Sequence, residues 1–339
     1  MIDAIRRRQI RLGTAIDRTL EQEEEAHEMP DDRLRLIFTC CHPALHIEAQ
    51  VALTLRTLGG LTTTEIARSF LLPEPALAQR IVRAKRKIQD ACIPYEVPPL
   101  HRLAERLAAV QVVVYLIFSE GCSATFGDAL IRGDLCAEAI RLSRLLCELM
   151  PRDADNRGLL ALMLLQDSRR AARTGPRGEL VTLDDQDRAL WNQDAIREGL
   201  AMLPAEKGTY ALQAGIAAVH AHSGTAQDTD WRAIAGLYED LAWFVPSTVV
   251  ALNHAVAVAM SDGFPAGLAR MDRITEPDRY YLFHSARADL LRRLGRHAEA
   301  AAACHRAIDL ATNLVERTWL SARLDSVSSG KQDIIIDSG

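Results

Sequence analysis

Aromatic residues are scarce in this chain of 339 residues, where Phe, Trp and Tyr together make up only 5%. Ala, Leu and Arg dominate instead, which favours helices over sheets. No apolar run approaches the roughly 18 residues that a membrane span requires, and the first residues lack the hydrophobic stretch of a signal peptide. These absences predict an all-α, cytoplasmic protein, and the length allows two or three domains.

Motifs of catalysis and cofactor binding are also missing. The sequence has no dinucleotide fingerprint, Walker loop, nucleophile elbow or zinc-protease motif. We therefore expect no enzymatic activity, no catalytic residue and no cofactor. The formal net charge is only −5, so binding to nucleic acid would have to come from a local concentration of basic residues.

The seven cysteines are unevenly spaced and include no Cys-x-x-Cys pair. The run Cys40-Cys41-His42, with His46 nearby, is one candidate metal site. Neighbouring side chains on a helix point about 100° apart, however, and a tetrahedral site needs two further ligands. We therefore expect buried, reduced thiols and no metal.

A second candidate metal site is the acidic run Asp184-Asp-Gln-Asp187. Carboxylates are favourable at the positive N-terminal end of a helix, and a helix is predicted over residues 186–202. The run is therefore expected to cap that helix and to pair with Arg169, Arg170 and Arg173. A metal or ligand site is the alternative.

Residues 61–88 hold the most informative pattern, because they predict two helices joined by a tight turn that ends at Pro73. Thr62 is followed three residues later by Glu65, which is a capping-box signal for a helix start. The apolar face of this first helix comprises Ile66, Ala67 and Phe70.

The second of these helices combines a buried stripe with a basic outer face. Pro75 lies in its first turn, where proline is tolerated. The stripe spans about 60° of the helix circumference and comprises Leu77, Ile81, Ala84 and Ile88. Between Pro75 and Gln89 there are five basic residues and no acidic one. This arrangement predicts a helix that enters the major groove of DNA, although a solvated charged face is the commoner explanation of such a run.

From Leu100 onward the pattern is helical almost without interruption. Helices are predicted over residues 101–119, 126–149, 155–173, 186–202, 208–222, 230–244, 247–261, 264–274, 278–294, 297–311 and 314–324. A turn and a short extended segment are predicted over residues 174–183. The segments 253–263 and 285–295 align at an offset of 32, close to the tetratricopeptide period. Expected core anchors for these repeats are Trp231, Trp243 and Trp319, although a concave groove could also use one of them to bind a peptide.

These residues resemble extracytoplasmic-function sigma factors of the sigma-70 family, and in particular the group with a tetratricopeptide-like helical extension. The similarity covers about residues 29–324. The matching stretches include 29–43, 61–90, 93–95, 127–130, 135–142, 159–165, 185–188, 229–231 and 251–253.

The resemblance implies that residues 31–93 form sigma region 4, which recognises the −35 promoter element and contacts RNA polymerase core. Arginine can bond guanine bidentately and glutamine can bond adenine, while phosphate contacts hold the helix in place. The DNA-binding residues predicted on this basis are Thr63, Thr64, Ala76, Gln79, Arg80, Arg83, Arg86 and Lys87. Promoter DNA and polymerase core are the expected partners, together with a protein or small-molecule partner for the repeats and no membrane.

The resemblance also implies a division of the chain into five segments. A remnant of sigma region 2, which is otherwise missing, and an acidic linker occupy residues 1–30, and the helix-turn-helix domain occupies 31–95. A helical extension domain follows at 100–205, then tetratricopeptide-like repeats at 206–325 and a frayed tail at 326–339. The extension is expected to regulate the DNA-binding domain by holding or masking its recognition helix.

Two other interpretations of the sequence remain open. The chain could be a helix-turn-helix regulator that binds DNA without polymerase, or an interaction scaffold in which only the repeats matter. Binding to purified core polymerase distinguishes the first alternative from a sigma factor.

Overall fold

The structure, a computed structural model, describes residues 32–58, 60–69, 73–94, 100–123, 131–275 and 280–328. The predicted segment 1–30, Phe70 and the tail after Ser328 lie outside these ranges. Within them, regular structure is helical apart from one isolated bridge between Thr174 and Leu180, inside the segment predicted as a turn and an extended stretch. The all-α prediction is confirmed.

The N-terminal part of the described chain is built around one central helix. Its elements are α1 (Asp32–Cys40), α2 (Ile47–Thr57), α3 (Thr63–Ser69) and α4 (Glu74–Asp90). Helix α2 packs against the other three, and every residue from Ala49 to Leu55 is buried. The buried amide nitrogen of Gln50 donates to the carbonyls of His42 and Leu45, at 2.9 and 3.0 Å, whereas its Oε1 has no hydrogen-bond partner among the described residues.

The rest of the described chain is a succession of helices that pack mainly on their neighbours in sequence. They are α5 (Leu100–Cys122), α6 (Gly133–Leu149), α7 (Ala154–Asp167), α8 (Gln193–Ala201), α9 (Thr209–His222), α10 (Trp231–Phe244), α11 (Thr248–Asp262), α12 (Phe264–Met271), α13 (Tyr281–Arg293), α14 (His297–Leu310) and α15 (Leu314–Ser328). Packing between successive helices is the arrangement of helical repeat proteins.

The largest hydrophobic core runs without a break from the N-terminal helices into the extension. It contains Phe38 of α1, Val51 of α2 and Leu77 of α4, and it continues through Val113 of α5 as far as Ala214 of α9. Helix α5 packs on α1 and α2. The extension therefore helps to bury α2 together with the other N-terminal helices.

The acidic run at 184–187 does not cap a long helix as predicted. Helix α8 begins only at Gln193, and its cap is Asn192, whose side chain accepts hydrogen bonds from the backbone N–H groups of Asp194 and Ala195 at 3.0 and 3.1 Å. Asp187 caps a single 3-10 turn at residues 188–190. The run ends at Asp187, too far before α8 for its carboxylates to cap the N–H groups of that helix.

The expected pairing of the acidic run with the upstream arginines is also wrong. Arg170 instead forms an ion pair with Asp167 in the last turn of α7, while Arg169 and Arg173 have no ion pair with any residue in the described ranges. Helix α7 ends at Asp167 rather than at 173, and a short 3-10 turn follows at residues 170–172. For the predicted helix over 126–149, residues 126–130 lie outside the described ranges, and the structure has α6 over Gly133–Leu149.

The two aligned segments near the C-terminus have the same local structure. Each is a helix that ends at a glycine with positive φ, Gly263 at +102° and Gly295 at +73°, before the next helix begins. A side chain at Gly267 would overlap Ala259, so α11 and α12 cross closely because both positions are small. The repeat itself stays a prediction.

Two predictions about individual side chains fail. Trp243, expected in the core, is 77% exposed, whereas Trp191 is buried at 4%. All cysteines were expected to be buried, but Cys92 is exposed. Cys122 and Cys136 are buried as expected, and their free thiol sulfurs lie 3.5 Å apart. Residue type alone does not decide which apolar side chains a repeat array covers.

Neither a membrane span nor a metal cluster is found in the part of the chain that the structure describes. No helix there combines the length and apolar character needed to cross a bilayer. No three His, Cys, Asp or Glu side chains there lie close enough together to hold a metal ion.

Candidate nucleic-acid interface

Helix α3 begins with the capping box that the sequence predicted. The Thr62 backbone N–H donates to Glu65 Oε2 at 2.6 Å, and the Glu65 backbone N–H donates to Thr62 Oγ1 at 3.2 Å. Ile66 and Ala67 are buried against the core. The two reciprocal hydrogen bonds satisfy N–H groups that the helix cannot pair internally, so they fix where α3 starts.

Helix α4 is held by its apolar stripe. Leu77, Ile81 and Ala84 are buried and Ile88 is half-buried, as predicted. Pro75 lies in the first turn, where its missing N–H group costs no hydrogen bond. The stripe faces α2 and α3, so the opposite side of α4 points away from the core.

The outward side of α4 carries most of the predicted DNA-binding residues. Ala76, Gln79, Arg83, Arg86 and Lys87 are exposed, and Arg80 is half-buried at the edge of the same face. At 100° per residue these six positions span an arc of about 120°. Thr63 and Thr64 are half-buried in the first turn of α3 and do not belong to the α4 face.

The basic side chains of α4 are largely available to an anionic partner. In the described part of the chain, Arg80, Arg83 and Lys87 form no ion pair, and Arg86 approaches Asp90 at 3.5 Å. Both members of that pair are well exposed, so the pair stabilises the helix little and competes weakly with a phosphate. The face therefore presents a concentrated positive charge on a chain whose net charge is negative.

One outward residue of α4 was missed by the sequence interpretation. Val82 is 64% exposed and lies three residues after Gln79 and four before Arg86, so it is a neighbour of both on the helix surface. An apolar residue outside the buried stripe is the signal that could have identified it. Such a side chain can contact the C5-methyl group of thymine.

Comparison with known proteins agrees with this geometry. Residues 35–88, from α1 to α4, match the family described as sigma-70, region 4. An uncharacterized protein of Rhizobium meliloti (strain 1021) is 46% identical over 305 residues, which cover 88% of this chain and 72% of the relative. The chain belongs to the family of this relative and carries a sigma-70 region 4. Residues 106–207 match a family of unknown function, DUF6596, and no solved structure matches the chain.

Region 4 is tied to the extension by polar contacts as well as by the shared core. The Arg132 guanidinium lies 3.2 Å from Glu65 Oε1, and Arg106 of α5 donates to the carbonyl of Phe38 at 3.3 Å. Glu65 therefore has two roles, since it caps α3 and receives the arginine that precedes α6. The sequence offered no signal for this second role, because the two residues are far apart along the chain.

The surroundings of Glu65 favour its charged form. Burial alone would raise the pKa of this carboxyl, but the hydrogen bonds from the Thr62 hydroxyl and N–H, together with the charges of Arg132 and Arg56, hold the pKa below its ordinary value of 4.5. Because the pKa is lower in the folded than in the unfolded chain, the resulting stability is present above pH 4.5 and is lost as the pH falls through the lowered pKa.

Replacing Glu65 with Gln tests this linkage. We expect the free energy of unfolding at pH 7 to fall by about 0.2–1 kcal/mol, because glutamine can keep the capping hydrogen bond but loses the charge that attracts Arg132. The difference from the unmodified protein should shrink as the pH is lowered below 4.5, since Glu65 then loses its charge in both states. Thermal unfolding followed by circular dichroism across this pH range measures the effect. The control is the exposed Glu239→Gln, and an E65Q difference that does not change with pH would contradict the assignment.

Proposed function

We propose that this protein is a sigma factor of the extracytoplasmic-function class that recognises the −35 promoter element through α4 and contacts RNA polymerase core. The observation that carries the proposal is the exposed, mostly unpaired basic face on the second helix of a region 4 helix-turn-helix. Polymerase lies in the cytoplasm, which is where we expect this chain to act.

The residues on α4 suit different parts of a DNA duplex. We assign Gln79, Arg80 and Arg83 to base edges and nearby phosphates, because glutamine pairs well with adenine and arginine with guanine. Arg86 and Lys87 lie further along the helix and are assigned to the phosphate backbone, which positions the helix without reading sequence. Thr63, Thr64 and Ala76 are assigned supporting contacts at the beginnings of the two helices.

The extension, which we propose to be tetratricopeptide-like, holds region 4 from the side away from DNA. Its first helix α5 covers α1 and α2, while α4 packs chiefly on α2 and α3 and keeps its basic face exposed. The extension therefore orients the recognition helix rather than masking it in this conformation. A partner of the repeats could act on promoter binding through this shared core, because region 4 moves with α5 as one packed unit.

The proposed function is tested by two binding experiments on the full chain. Selection from a randomised duplex pool followed by fluorescence anisotropy should yield a preferred −35-like sequence whose affinity falls steeply with salt. Co-migration with purified core polymerase is expected in gel filtration. Sequence-specific DNA binding without polymerase binding would instead support a stand-alone regulator. Absence of both would leave only an interaction scaffold.

Val82 offers a test of how α4 is oriented in the groove. We expect it to contact a thymine methyl group, so replacing single thymines of the selected duplex with uracil should weaken binding several-fold at one position. Val82→Ala should remove that sensitivity while leaving the salt dependence unchanged, since no phosphate contact is lost. Ala78→Ser, on the same helix but half-buried, is the control. Equal sensitivity to uracil in both variants would show that Val82 faces away from the bases.

A further inference from the structure

The connection between α7 and α8 contains an unusual group of basic side chains. Arg169, Arg173 and Arg188, here called the arginine cluster, are each half-buried. Within the described residues none of the three forms an ion pair, whereas their neighbour Arg170 is held by Asp167. Buried arginines are ordinarily matched by carboxylates, so three unmatched ones in one place call for an explanation.

Trp191 brings two members of the cluster together. The guanidinium carbon of Arg188 lies 4.6 Å from the centre of the Trp191 ring system, and that of Arg169 lies 5.8 Å from it. Arg188 is fixed further by donating to the carbonyls of His220 and Ser223, at 2.5 and 2.8 Å, at the end of α9. The structure thus holds these cations in a defined arrangement before any ligand is present.

Mutual repulsion shows how closely the charges are grouped. Burial lowers the pKa of Arg169 to about 10, and the neighbouring charge of Arg173 acts in the same direction, followed by that of Arg188. Burial also lowers the pKa of His220 to about 4, with Arg169 and Arg188 adding to the effect. His220 is therefore neutral at physiological pH, so it does not add a further charge to the cluster.

Two buried polar atoms beside the cluster are also unsatisfied. Among the described residues, neither Trp191 Nε1 nor His220 Nδ1 has a hydrogen-bond partner. A tryptophan N–H can only donate, and a neutral histidine ring donates from one of its two nitrogens. An acceptor-rich ligand would satisfy Trp191 Nε1, and it would also satisfy His220 Nδ1 in the tautomer that carries its proton there.

The nearby acids do not neutralise the cluster. Asp184 and Asp228 influence Arg188 electrostatically, but neither is within ion-pair distance, and Asp228 accepts hydrogen bonds from the Thr225 N–H and hydroxyl at 3.2 and 2.8 Å. Glu316 of α15 is attracted electrostatically by Arg173 without forming an ion pair with it. Its Oε1 instead accepts a hydrogen bond from the Tyr281 hydroxyl at 2.6 Å. The local charge therefore remains positive.

We propose that the arginine cluster, with Trp191 and His220, is a binding site for a small multivalent anion that carries phosphate or carboxylate groups. Guanidinium groups pair with both through two parallel hydrogen bonds, and a preformed arrangement reduces the entropy lost on binding. The site lies in the extension, outside region 4. It would give the extension a small-molecule ligand at a place separate from the surface that we propose for promoter recognition.

Calorimetric titration of the full chain tests the proposal, with inorganic phosphate and citrate as the two probes. We expect saturable binding of at least one probe with a stoichiometry of one. Arg169→Gln should weaken it at least tenfold, or about 1.4 kcal/mol, whereas the exposed Arg232→Gln should not change it. Preference for phosphate or for citrate identifies the ligand class. No saturable binding at about 10 mM of either probe, or equal affinity in both variants, would overturn the site.

Thermal unfolding without added anion separates a binding role from a structural one. If the cluster is a ligand site, Arg169→Gln should leave the midpoint unchanged or raise it, because the substitution relieves repulsion. The probe that binds should raise the midpoint of the unmodified protein and not that of the variant. A marked fall of the unfolding midpoint in the variant, with no change of the midpoint of the unmodified protein on adding either anion, would show that Arg169 only supports packing. No readout here involves DNA, so failure would not affect the proposed promoter recognition.

Discussion

Replacing Arg83 with Ala should lower the affinity of the protein for its selected −35 duplex by about 1–3 kcal/mol, a factor of roughly 5 to 150. Arg83 is exposed on the outward face of α4, and no ion pair within the described residues competes for it. If it contacts a guanine, the variant should also lose its preference at one base pair. Fluorescence anisotropy on the selected duplex and its single-base variants measures both effects.

The control is Arg197→Ala, which removes another exposed arginine, one that pairs with Asp194 in α8, outside region 4. It changes the net charge by the same amount and should leave DNA affinity and salt dependence unaltered. If R83A loses the same affinity for every DNA sequence and its affinity depends less steeply on salt concentration, Arg83 contacts a phosphate instead of a base. Equal affinity of R83A and the unmodified protein would exclude this face of α4 as the DNA-contacting surface.

Replacing Phe38 with Ala should destabilise region 4 and the beginning of the extension together, by about 3–5 kcal/mol. Phe38 is fully buried in the core that continues from α1 into α5 and α6. Because both parts share this core, we expect one unfolding transition rather than two. Chemical denaturation gives the free energy of unfolding, and hydrogen exchange shows whether the amides of α4 and α6 lose protection to the same extent.

Val82→Ala is the control for this second experiment, since it also removes an apolar side chain from region 4 but at an exposed position. It should change the free energy of unfolding by no more than about 0.5 kcal/mol. Loss of protection in α4 with full protection kept in α6 would contradict the shared core. In that case region 4 would fold on its own, and the extension would touch it only at the surface.

Local patterns explain why the helix-turn-helix was predictable. The Thr62–Glu65 capping box involves residues three apart, so its two hydrogen bonds follow from sequence alone. The buried stripe of α4 repeats with the period of a helix, which also decides which side Arg83 and Arg86 occupy. Both features depend on neighbours within a single helix, and both are found in the structure.

The errors concern contacts between distant parts of the chain. The packing of α5 on α2 was not predicted, because no pattern within α2 reveals it. The acidic run at 184–187 has the composition of a helix cap, but the chain makes a 3-10 turn before α8 begins at Gln193. Trp243, expected in the core, is exposed instead, because burial depends on which helix covers the ring.

The amino-acid sequence by itself determined the helical class, the position of the recognition helix and the basic character of its outer face. These depend on hydrogen bonds and side-chain periodicity within about four residues of each position. Only the tertiary structure decided that region 4 and the extension share a core, that Arg132 reaches Glu65, and that Arg169 and Arg188 meet at Trp191. Those features are made by residues many positions apart, and only the packing of whole helices brings such residues together.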